Sequence, residues 1–123
     1  MTKSVNDEVL DAALDEIRDN ATLEILCSAA PTTRTEAVTT YALADMAVTS
    51  TDFTKADGDV SGRKMTVAAQ SDVDVDATGS GTHIALVDGT RLLYVTELAS
   101  AVSVTSGGKV DLGAWDIEIA DPT

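Results

Sequence analysis

The chain has 123 residues, enough for one domain with one core and too few for two. It carries 21 acids against 8 bases, a formal net charge of −13, which argues against direct binding to DNA or RNA, since phosphates would be repelled and no basic stripe offsets this. Only 3% of the residues are aromatic, so the core must be built from Val, Leu, Ile and Ala and is expected to be thin, leaning on a partner or on copies of itself.

Residues 4–19 predict one amphipathic helix. Ser4 with Asp7 three positions on resembles a capping box, with an acid in place of the usual Glu. Leu10, Ala13, Leu14 and Ile17 recur at helical spacing with Val9 beside them. Asp7, Glu8, Asp11, Asp15 and Glu16 take the opposite side and the first turns, where acids suit the helix dipole. Asn20 is the expected stop. A helix with one apolar stripe must lie on something, either its own sheet or a neighbouring subunit.

From Ala21 the pattern turns to β, and residues 21–123 predict a sandwich. Residues 22–28 form a short apolar strand, closed by Pro31-Thr32-Thr33. The stretch 36–49 is the least legible: Tyr41, Leu43 and Met46 suit a strand or a short helical turn, with strand favoured. Asp57-Gly58-Asp59 and Ser61-Gly62 mark turns before a strand at 63–69, and strands at 72–78, 82–87 and 91–98 follow. Asp88-Gly89 between two β-rich runs is a strong hairpin signal, and Gly107-Gly108 separates 101–105 from 110–119 in the same way. Along the last strand Trp115, Ile117 and Ile119 alternate with Asp116, Glu118 and Ala120, giving one buried and one wet face. The sum is a single, mainly β domain: an antiparallel β-sandwich or small barrel of about seven strands, preceded by one N-terminal α-helix.

The inventory for chemistry is short. His83 is the one histidine and Cys27 the one cysteine, so no internal disulfide is possible and the soft ligands of a transition-metal site are missing. A nucleophile–base pair would need His83 beside Cys27, Ser80 or another hydroxyl, and no catalytic motif surrounds them. Cys27, within Leu23-Glu24-Ile25-Leu26, reads as a buried, inert thiol. Asp72, Asp74 and Asp76 alternate with Val73 and Val75, which in a strand puts three carboxylates on one face. Their spacing resembles the start of an EF-hand loop, but Ala77 and His83 stand where that loop needs Gly and Glu. A solvated face, or a patch awaiting basic groups of a partner, is the reading; a looser calcium site with Asp57 or Asp59 is the alternative. Gly79-Ser80-Gly81 and Gly107-Gly108 read as turns, since neither opens a helix nor carries a P-loop lysine. No catalytic activity, cofactor or metal is expected, nor a membrane span or signal segment, since no run is long and apolar enough.

The opening helix with Leu10-Asp11-Ala12-Ala13-Leu14-Asp15 and Asp19-Asn20-Ala21 is followed by Leu26-Cys27-Ser28, Pro31-Thr32-Thr33, Thr35-Glu36-Ala37 and Tyr41-Ala42-Leu43. Further on come Ala77-Thr78-Gly79-Ser80-Gly81-Thr82-His83, Ala85-Leu86-Val87-Asp88 and Arg91-Leu92-Leu93, and the ending Trp115-Asp116-Ile117-Glu118-Ile119-Ala120-Asp121-Pro122. Together these segments, which cover most of the chain, resemble a group of small virion proteins from tailed bacteriophages. The resemblance implies a head decoration (cement) protein that binds the major capsid protein on the outside of the capsid and clamps neighbouring subunits against internal DNA pressure. It also implies a homo-oligomer, a trimer being favoured, made in the host cytoplasm and carried on the virion surface. Tyr41 and Phe53, in the irregular middle segment, are the apolar residues expected at an interface. The alternative is a tail or fibre component, or a host-recognition domain binding a receptor or glycan.

Overall fold

The computed structural model describes residues 3–122. Its helix, α1, runs Asp7–Asn20 and starts later than the Ser4 capping box predicts. Asn6 is the cap: its side chain accepts the Glu8 N–H at 2.7 Å, and Ser4 lies outside the helix. The buried stripe is narrower than expected, with Leu10 and Leu14 inside and Ile17 half-buried, while Ala13 and Val9 are exposed. Asp11 and Asp15, placed by the sequence on the wet side, flank this stripe. Arg63 grips Asp11 at 2.8 Å and Lys55 grips Asp15 at 2.7 Å, so two ion pairs one helical turn apart fasten the helix to the sheet beneath it along one side of its apolar contact.

Nine strands follow: β1 Leu23–Cys27, β2 Ala42–Ala47, β3 Phe53–Asp57, β4 Arg63–Val67, β5 Gln70–Asp74, β6 Gly79–Val87, β7 Leu92–Val104, β8 Lys109–Leu112 and β9 Trp115–Ile119. They form three antiparallel sheets, ordered β2-β1-β6-β7, β3-β4-β9 and β5-β8. A single bridge, Ala44↔Val75, ties the third sheet to the edge of the first. The mainly β sandwich with its leading helix is therefore as expected, built from more and shorter pieces. Residues 36–49 hold both alternatives, a π-helical turn Glu36–Thr40 and then β2. The run read as one strand over 110–119 is two, broken at Gly113-Ala114 and belonging to different sheets.

The two expected hairpins differ. β6 and β7 do pair across Asp88-Gly89, but through four loop residues, with Val87 opposite Leu92. The Asp88 carboxylate holds this loop by accepting the Thr90 and Arg91 N–H groups, the side-chain-to-backbone device that favours Asp in turns. Gly107, at φ +85°, makes a real turn, but it is no hairpin: β7 pairs with β6, and β8 pairs with β5.

The core is divided. One cluster, including Leu26, Ile84, Val73, Val75, Val110 and Leu112, lies between the first and third sheets. A second joins Leu14 of the helix to Phe53, Met65, Val67, Ile117 and Leu86. Half-buried Trp115 packs against both. The outward face of the first sheet carries a third cluster, Ile25, Cys27, Ala85 and Val87, sealed by Ala37 from the π-helical turn. Because β1 and the second half of β6 are covered on both faces, Ile25-Leu26-Cys27 and Ile84-Ala85-Leu86-Val87 read as continuous apolar runs, not as alternations.

Candidate functional site

The residues singled out for chemistry can now be placed. Cys27, His83 and Glu97 stand directly opposite one another on β1, β6 and β7, a nucleophile–base–acid order that the sequence reading did not bring together. The contacts do not make a relay of it. The Cys27 thiol is fully buried and directed at the carbonyls of Ala37 and Ile25, 3.7 and 3.9 Å away, and burial pushes it up to about 11, opposite to what an attacking thiolate needs. His83 Nδ1 shares a hydrogen bond with Thr82 Oγ1 at 2.8 Å, and Nε2 lies 3.6 Å from the exposed Glu97 carboxylate. These are the bonds of an ordinary strand histidine.

The aspartate series keeps its outward alternation, with Val73 and Val75 buried and the three acids exposed, yet the acids do not converge. Asp72 sits at a bulge with φ +55° and donates its N–H to Asp111 Oδ1; Asp74 pairs with Lys109; Asp76 lies beside Asp45. Burial, and secondarily Asp76, holds the Asp45 carboxyl above its usual range. Asp57 and Asp59 are taken by Arg63 and Lys64 on another sheet. Among the described residues no three His, Cys, Asp or Glu side chains are grouped so as to hold a metal ion.

The two expected interface residues are also otherwise employed. Phe53 is only 6% exposed and fills the second core cluster, so it has no surface to offer a partner, and that expectation is corrected. Tyr41 is half-buried and packs against the third cluster beside Cys27 and Ala37.

What stands open is the far edge of the first sheet. Among the described residues no strand pairs with the outer side of β7, the longest strand at 13 residues. Halfway along, residues 98–101 bulge out opposite the single residue Thr82. Between this bulge and the β8–β9 connection lies a groove of about 330 Å³. Leu26 and Ile84 line its depth, residues 96–99 with Val102 form one bank, and residues 111–115 form the other. Successive residues line both banks, which alternating side chains alone would not do, so the main chain borders the groove on either side. Val102 is 37% exposed on the rim, while the Glu97 carboxylate lies beside His83 on the outward face of the sheet and that of Asp111 accepts the Asp72 N–H, so neither acid is aimed into the groove.

Behind the groove lies the oddest group of the fold. Glu24, on the inward face of β1 with Leu26, is wholly buried. Trp115 Nε1 donates to its Oε1 at 3.0 Å, while Oε2 is buried with no hydrogen-bond partner. Burial raises its pKa, the Trp115 bond opposing this and Asp52 adding to it. Trp115, stacked on Tyr94 with ring centroids 5.8 Å apart, thus joins both core clusters, the buried carboxyl and the groove wall. A glutamate inside the apolar run Leu23–Cys27 was the available sequence signal for this pair.

The electrostatics are one-sided. Arg18, Lys55, Arg63, Lys64, Arg91 and Lys109 pair with carboxylates of the chain itself, and Arg34 donates to the Asp88 carbonyl oxygen at 2.7 Å, so seven of the eight bases are engaged internally. The surplus of acid is what faces outward. No helix among the described residues is long and apolar enough to cross a membrane. Compared with known proteins, the chain matches no family model, no curated protein and no solved structure, so its chemistry rests on its own residues.

Proposed function

We propose that the chain is a structural virion protein: a decoration, or cement, protein that binds the major capsid protein on the outside of a tailed-phage head and stabilises contacts between capsid subunits. The observation that carries this reading is the unpaired edge of β7 with its adjoining apolar groove, a surface suited to holding another chain. The sequence resemblance supplies the capsid as the partner. A buried thiol held at about 11, a histidine in ordinary strand bonds and dispersed acids fit a part that binds without transforming anything. Divided, aromatic-poor core clusters favour use as a homo-oligomer, in keeping with the trimer that the resemblance implies.

The test is to mix the purified chain with DNA-free capsid shells and measure co-sedimentation and copy number. Saturation at a number set by the capsid lattice, with shells made more resistant to heat or pressure, is the expected result. Absence from the shells sinks the proposal, and a few copies per particle points to the tail instead.

A further inference from the structure

Of the features that the proposed function leaves unused, several are mute. The Cys27–His83–Glu97 row has its thiol sealed under Ala37, the acids around the third sheet are dispersed, and no charge aimed into the β7 groove marks its occupant. The buried carboxyl of Glu24 goes further, because its surroundings, its single bond and the residue that makes that bond together define a device.

We propose that Glu24 and Trp115 form a proton-operated latch between the first and second sheets. With the carboxyl protonated, the indole stays seated and closes the groove wall. With the proton gone, the indole is released and water reaches the carboxylate from the groove. The latch belongs to the chain itself and is independent of the capsid reading.

The seat is a row of side chains on the inward face of the first sheet. Met46, Glu24, Leu86 and Tyr94 stand directly opposite one another on β2, β1, β6 and β7, and residues paired in this way share a face. Trp115, which opens β9 in the second sheet, donates its Nε1–H to Glu24 Oε1 at 3.0 Å and stacks on Tyr94, so its indole bridges the row. The same residue lines the groove together with Leu26, two places along β1 from Glu24 and on the same face. Trp115 is thus the partition between the carboxyl and the groove. Just before it, Gly113 and Ala114 are exposed and belong to no strand, which gives the partition a hinge.

An ionised Glu24 has nothing in this seat to answer its charge. Oε2 has no partner, and the lone donor at Oε1 is neutral. Met46 and Leu86 are apolar, Tyr94 is the other titratable group of the row, and Asp52, in the turn Ser50–Asp52, is an acid that opposes a second negative charge. Asp45 and Asp116 alternate to the opposite faces of β2 and β9, and Glu97 lies outward beside His83. On the helix side, Asp11 and Asp15 are bound by Arg63 and Lys55. A neutral buried carboxyl short of one hydrogen bond is a modest cost; a buried carboxylate without a cation is a large one, relieved by admitting water. The groove lies on the far side of the indole, so displacing the indole admits that water.

Trp115 is the only tryptophan, so acrylamide quenching of its fluorescence reports the partition alone. In the folded protein, quenching should rise about twofold or more along a one-proton step that begins above pH 4.5, with circular dichroism unchanged. Glu24→Gln keeps an acceptor for the indole and cannot ionise, so its quenching should stay at the low-pH level throughout. Asp52→Asn keeps an acceptor for the Thr49 N–H and removes the opposing charge, so the step should begin at lower pH. In the wild type, the infrared band of a protonated carboxyl should persist where the exposed acids have ionised and fade along the same step, a readout that needs no variant to fold. Quenching that ignores pH in the wild type, that steps equally in Glu24→Gln, or that steps only as the circular dichroism collapses overturns the latch. So does a step that Asp52→Asn leaves in place.

Discussion

Replacing Trp115 by Phe keeps most of the ring in place and deletes one donor, the indole N–H that serves Glu24. Since Glu24 Oε2 already lacks a partner, the variant leaves a buried carboxyl with none at all. A buried acceptor stripped of its bond costs about 1–3 kcal/mol, and more when charged. The smaller ring adds about 1 kcal/mol for the space it leaves. Trp115→Phe should therefore destabilise the fold by roughly 2–4 kcal/mol near neutral pH. In a Glu24→Met background the acceptor is gone and only the ring term of about 1 kcal/mol should remain. The coupling between the two sites, about 1–3 kcal/mol, is read from urea denaturation of the four proteins in the cycle.

A pH dependence comes with it. Unfolded, Glu24 loses its proton near 4.5; burial makes the folded chain hold it to higher pH. Between those points the native state binds more protons, so stability falls as pH rises from 4.5 through the folded value and then levels off. Glu24→Met lacks this loss, so its advantage over wild type should widen as pH rises above 4.5 and then hold steady. Additivity of the two substitutions within about 0.5 kcal/mol, or a wild-type-to-variant difference that ignores pH, refutes the reasoning.

Three further outcomes are expected. Cys27 should resist a thiol reagent in the folded protein at mildly alkaline pH and react at once in denaturant; fast labelling of the native chain would mean that the cover over residues 28–41 opens readily. Asp88, held at about 2 chiefly by the Thr90 N–H and then by Arg91, contributes stability above 3.8 that is lost as pH falls from 3.8 to 2. Asp88→Asn should flatten that acid limb in thermal midpoints measured across it, and an unchanged limb would show the loop to be held by other means. A Cβ on Gly81 would stand 2.6 Å from Leu26 Cδ1, so Gly81→Ala should cost roughly 1–3 kcal/mol of unfolding free energy, and a neutral result would mean that β1 yields without strain.

The parts of the fold legible in the sequence are those where one physical pattern acted alone. β9 alternates because one of its faces packs on the core and the other is wet. The helix showed its stripe, although its start was hidden because Ser4 and Asn6 are both good caps and the choice depends on where Leu10 meets the sheet. β3 went unseen because Phe53 is its only buried residue and its pairing with β4 is a long-range choice. β7 was read in fragments because the bulge at 98–101, midway along its pairing with β6, looks like a break. The groove could not be read at all: its banks are nine or more residues apart in sequence, from residue 102 to residue 111, and meet only through sheet packing. Glu24 was visible as an acid in an apolar run, but its partner is 91 residues away.

The internal use of nearly every cation has a consequence for any crowded array of this chain. Each added copy brings its full −13 with no compensating patch to lay against its neighbour. Counterions must then accumulate between copies, and packing density becomes a function of ionic strength and of divalent cations in the medium. A coated particle should migrate faster toward the anode with every copy bound and repel its fellows in suspension, so electrophoretic mobility would count the copies without any label.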